Sequence, residues 1–99
     1  MLYAIFARDV EDSLSFRAGS RADHLARIQT LQGQGRLVLA GPLPAVDSPE
    51  PGEAGFSGSL IVAEFESLEQ ARAWAEDDPY FAAGAWASAE VVPFLQAAP

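Results

Sequence analysis

Residues 59–80 read SLIVAEFESLEQARAWAEDDPY, and a change of period inside this stretch decides the fold. Ser59 to Phe65 is apolar at nearly every position until Glu64, the composition of a strand covered on both faces. Ser67-Leu68-Glu69-Gln70 then has the form of a capping box, and Leu68, Ala71, Trp74 and Ala75 recur at helical spacing. Pro79 stops this helix, because the residue before a proline is pushed out of the helical region.

Outward from that stretch the same alternation repeats. Leu2 to Ala7 is a strand apolar on both sides. The polar segment Arg8 to Arg17 follows, with Val10, Leu14 and Phe16 giving a short helical turn or an ordered loop. Ser20-Arg21-Ala22-Asp23 opens a helix, with Ser20 as N-cap, Leu25, Ile28 and Leu31 on one stripe, and Gly33 and Gly35 at its end. Residues 36–40 form a second strand. Gly41 to Gly58, crowded with Pro42, Pro44, Pro49 and Pro51, reads as a long loop that borders and gates a pocket. Tyr80 to Gly84 is one turn, and Ala85 to Leu95 a last strand with Pro93 near an edge. The order β-α-β-β-α-β over residues 1–99 predicts a single α+β domain, ferredoxin-like, with a four-stranded antiparallel sheet.

Helices in this topology cover one face of the sheet. Leu2, Ala4 and Phe6 nevertheless compete with Tyr3, Ile5 and Ala7, and Leu60 and Val62 compete with Ile61, Ala63 and Phe65. A second apolar face of several hundred Å² is unusual on a monomer, so a homodimer packed through it is expected. The alternative cover is the long loop.

Composition removes several function classes. The net charge of −8, from 14 acidic residues against six arginines and no lysine, repels phosphate backbones and anionic membranes, so neither nucleic acid nor membrane is an expected partner. The absence of cysteine removes disulfides, thiolate catalysis and cysteine-ligated metals. One histidine among scattered carboxylates is a poor transition-metal site, and no Gly-rich phosphate loop opens a helix, so no metal or cofactor is expected. Ser13, Ser15, Ser57 and Ser59 lack any motif that marks a nucleophile. The apolar opening is too short for a membrane span and lacks a basic leader, which leads us to expect a cytoplasmic protein.

Acid–base chemistry therefore runs through a perturbed carboxylate or through His24, the only histidine, in the first turn of the first long helix and beside its core-facing stripe. A carboxylate against its ring would fix the tautomer and leave the other nitrogen as a base; without one, His24 is a half-buried residue making one structural hydrogen bond. Asp78 before Pro79 is a natural helix N-cap, yet capping accounts for only one of the three acids Glu76, Asp77 and Asp78 crowded at a helix carboxyl end. Arg8, Arg17 and Arg21 flank the first loop and the start of the His24 helix, as substrate-binding cations or as partners of carboxylates such as Asp9 and Glu11.

Met1 to Ala7 with Asp9, Arg17 to Leu25 containing Arg21 and His24, Gly41-Pro42, Gly58-Ser59, Ala63 to Ser67 and Asp78-Pro79-Tyr80 stand in one order and spacing. In these residues the chain resembles a YciI-like protein over nearly its whole length. The resemblance implies a ferredoxin-like dimer of the α+β barrel type, related in fold to muconolactone isomerase. It also implies an active site of a histidine and an aspartate, which fall here on His24 and Asp78; whether the neighbouring Asp77 takes the place of Asp78 is left open by the sequence. One branch of the family comprises cofactor-free dehydrochlorinases of chlorinated hydroxyquinols. The expected function is cofactor-independent proton abstraction, elimination or isomerisation on a small anionic or phenolic molecule, by a lyase or isomerase with a His–Asp dyad. A non-catalytic ligand-binding or structural dimer is the alternative.

Overall fold

The computed structural model describes residues 1–99. Four strands, β1 (Leu2–Asp9), β2 (Leu37–Pro44), β3 (Phe56–Glu64) and β4 (Trp86–Phe94), form one antiparallel sheet in the order β2-β3-β1-β4. Helices α1 (Leu14–Ala18) and α2 (Arg21–Gly33) connect β1 to β2, and α3 (Leu68–Glu76) and α4 (Pro79–Ala82) connect β3 to β4. This is the expected βαββαβ arrangement with four antiparallel strands. No helix is long and apolar enough to cross a membrane.

The core follows from strand alternation. Tyr3, Ile5 and Ala7 of β1 are buried beneath the helices, and Ile5 lies opposite Ile61 of β3 on one side and Val91 of β4 on the other. Ile28 and Leu31 of α2 and Ala71 and Ala75 of α3 close this layer. Two fully buried alanines one turn apart let α3 lie close to the sheet. On the opposite face Leu39, Val92 and Phe94 remain 37–47% exposed, an apolar surface without cover in the chain.

Several local readings need correction. Of the two readings of the segment before α2, the short helical one holds, as α1. Ser20 holds the N-cap position of α2 but its side chain makes no capping bond; its carbonyl accepts the His24 N–H instead. Ser67 does cap α3, accepting from Gln70 N–H at 3.1 Å, although the reciprocal half of a box is absent because the Gln70 amide turns to Glu66. The long loop is shorter than read. β2 continues through Pro42 to Pro44, and β3 begins at Phe56, so only residues 45–55 connect them. Proline is tolerated there because β2 is an edge strand, where a missing N–H takes no bond from the sheet. A register shift between Leu37 and Leu39 sets Ala40 and Pro42 on the helix-covered face, opposite Ile61 and Ser59.

Candidate active site

The chain order carries His24 and Asp78 to one place. α2 and α3–α4 lie on the same sheet face, α2 touching α4, so the first turn of α2 meets the start of α4. Asp78 is extended, with φ −67° and ψ 136°, and Pro79 follows at the first helical position, where its fixed φ suits the helix. The Asp78 carboxylate accordingly turns back and accepts the Tyr80 N–H at 2.9 Å. Capping uses one oxygen only in part. His24 Nδ1 lies 3.0 and 2.9 Å from the two oxygens, and Arg27 Nη1 donates to Oδ2 at 3.2 Å. The capping and pairing readings of Asp78 therefore describe one residue doing both. Asp78 is 1% exposed, whereas Asp77 and Glu76 point to solvent, so Asp78 is the acid that meets the histidine.

A carboxylate only accepts, so Nδ1 carries the proton and the neutral ring is left with Nε2 as an acceptor. Nε2 makes no hydrogen bond in the protein, and His24 lines a cavity of about 380 Å³. The ring is held on its flanks: Tyr80 stacks on it at 4.2 Å and 17°, and Trp86 stands edge-on at 5.7 Å. The Trp86 Nε1–H is buried without a partner among these rings.

Leu14, Leu25, Ile28, Pro42 and Phe56 form apolar walls, while Arg17, Arg21, His24, Ser59 and Tyr80 supply the polar groups. The three arginines suggested by sequence part company here. Arg8 follows the parity of Leu2, Ala4 and Phe6 onto the open face, where it covers the Phe6 ring at 4.8 Å, away from the cavity. Arg17 lines the cavity but is already engaged. It binds the Asp9 carboxylate through Nε and Nη2, donates to Gly58 O at 2.9 Å and Ser59 Oγ at 3.0 Å, and lies between the Phe56 and Tyr80 rings. The Asp9 side chain is itself 1% exposed and also accepts from Ser13 Oγ. Arg21 lines the cavity with no ion pair or side-chain hydrogen bond. Arg21 is thus the uncompensated cation at this site.

Sequence reasoning missed Arg27, one helical turn after His24, which also binds Trp74 O at 2.8 Å and covers the Trp74 ring. Its spacing from His24 is the signal that places both on one helix face. It also missed Tyr80, visible only as the last residue of Asp-Pro-Tyr. Burial pushes the Tyr80 phenol above its usual range, assisted by Asp78 and opposed by Arg17 and Arg21. Tyr80 is consequently a neutral hydrogen-bond donor at ordinary pH. The loop of residues 45–55 does not line the cavity; the strand residues Gly41, Pro42 and Phe56 do.

The chain is 58% identical over 94 residues to Protein YciI of Escherichia coli O6:H1 (strain CFT073), covering 95% of this chain and 96% of that one. It is 49% identical to a Haemophilus influenzae protein over the same shares. Among solved structures it is similar to 5-chloro-2-hydroxyhydroquinone dehydrochlorinase of Burkholderia phenoliruptrix AC1100 in complex with 2,5-dihydroxybenzoquinone, with a TM-score of 0.82, 27% identity and coverage of 96% and 94%. The model of the YCII-related domain matches residues 1–95, and the chain belongs to that family.

Proposed function

We propose that the protein is a cofactor-independent enzyme that removes a proton from a small phenolic or hydroxyquinone-type molecule. The observation that carries this reading is the division of the imidazole: Nδ1 is committed to a buried carboxylate and Nε2 stands bare in a cavity of ligand size. His24 is the general base, and Asp78 orients it. Arg21, whose charge nothing in the protein neutralises, meets the oxyanion left when the ring hydroxyl loses its proton. Elimination and isomerisation both start from that oxyanion. The ligand named for the structurally similar dehydrochlorinase supports this substrate class.

The test is turnover of a panel of hydroxylated and chlorinated hydroquinones by wild type and His24→Gln. The expected loss in kcat/KM is about 10²–10⁴-fold, the usual contribution of a positioned base, with the fold retained by circular dichroism. Equal turnover by the variant would remove His24 from the chemistry. A hydroquinone bound but never consumed by wild type would make the cavity a binding site without catalysis.

We further propose that the working molecule is a homodimer joined through the open sheet face. Leu39, Val92 and Phe94 give that face an apolar character that a second copy would bury. Light scattering at micromolar concentration is expected to return twice the chain mass. A stable monomer that binds no hydrophobic dye would argue against the pairing.

A further inference from the structure

Ser59 is the only polar residue on the helix-covered side of β3 at its middle, where Ile61 and Ala63 continue the same face, and it is 3% exposed. A hydroxyl has one proton to give and two lone pairs to receive. One lone pair accepts from Arg17 Nη2 at 3.0 Å, and a guanidinium has no acceptor to offer in return. No carbonyl or carboxylate of the protein takes the Ser59 proton, although the residue lines the cavity. Buried polar hydrogens are ordinarily paired, so an idle one on a cavity wall marks the place of a missing acceptor. The donating cation also polarises the O–H bond and strengthens whatever bond it makes.

We propose that Ser59 is a ligand-touching donor that holds a carbonyl or oxyanion oxygen, and that Arg17, fixed by buried Asp9, is its positioning residue. The inference rests on the proton-abstraction reading, since both place one ligand in the same cavity. It adds a requirement: the ligand brings a proton to His24 and an accepting oxygen to Ser59. A hydroxyquinone or an enolised hydroxyketone meets that pattern, whereas a plain amine or hydrocarbon does not. Serine is thereby used as a donor to oxygen and not as a nucleophile.

The experiment is calorimetric titration with 2,5-dihydroxybenzoquinone of wild type, Ser59→Ala, Ser59→Cys and Ser59→Thr, with His24→Gln alongside. Loss of a hydrogen bond to a charged acceptor is expected to weaken binding about ten- to a hundredfold in the alanine variant. Cysteine fills nearly the same volume but donates poorly, so it is expected to weaken binding as alanine does. Threonine keeps the hydroxyl and is expected to stay within about threefold of wild type. Cysteine binding as tightly as wild type would show that only volume matters at position 59 and would overturn the donor role. Binding that depends on His24 but not on any Ser59 change would overturn this inference alone. Failure of wild type to take up the quinone would overturn it together with the proposed substrate class.

Discussion

Exchange of Asp78 for alanine is expected to lower the melting temperature by roughly 15–30 °C, at a cost of about 3–5 kcal/mol. His24 Nδ1, Arg27 Nη1 and the Tyr80 N–H all address this one carboxylate, whose side chain is 0% exposed. Alanine would strand the donors together, leaving a partly buried guanidinium without its counter-charge and α4 without its cap. Asparagine at the same position retains an oxygen for the Tyr80 N–H but presents an amide to Arg27 or His24, so roughly half the loss is expected. Thermal unfolding followed by circular dichroism separates the two variants. A change below about 1 kcal/mol for Asp78→Ala would mean that the carboxylate makes no net contribution to the folded state.

Gly58→Ala is expected to cost about 3 kcal/mol or more, or to yield no folded protein. A Cβ at this position would lie 2.0 Å from the Ala7 carbonyl oxygen and 3.2 Å from its carbon. Both atoms belong to the central strand β1, so no side chain can rotate aside, and the β1–β3 pair itself must move. The displacement would also reach the site, because Gly58 O and Ser59 Oγ both receive Arg17. Gly41→Ala is the control: a Cβ there meets nothing within 4 Å, and its expected effect is small. Denaturant unfolding of the two variants decides the matter, and equal midpoints would show that the sheet absorbs the added methyl.

The fold was legible because period and punctuation agree along most of the chain. The switch from Ser59–Phe65 to the Leu68–Ala71–Ala75 stripe marks strand and helix without help from tertiary contacts. Edge position, in contrast, is not written locally. Pro42 and Pro44 look like loop residues until the sheet order shows that their strand has a free side. The pairing of His24 with Asp78 joins residues 54 apart, and topology alone made it only permissible; the family resemblance singled it out. Alternation along β1 already assigned Arg8 to the face of Phe6, so its exclusion from the cavity was readable. Asp9 was among the carboxylates the sequence offered to Arg17, but the bonds of Arg17 to Gly58 and Ser59 were not readable, since they need β3 to arrive beside it.

The two outer strands each carry proline, Pro42 and Pro44 in β2 and Pro93 in β4. A neighbouring chain that tried to extend the sheet sideways would find gaps in the row of donors it needs. Growth by edge addition, the route toward fibrils, is blocked at both margins. The pairing proposed above would instead use the apolar face of the sheet, which these prolines leave free. The prolines thus guard both margins of this small, acidic sheet against open-ended polymerisation.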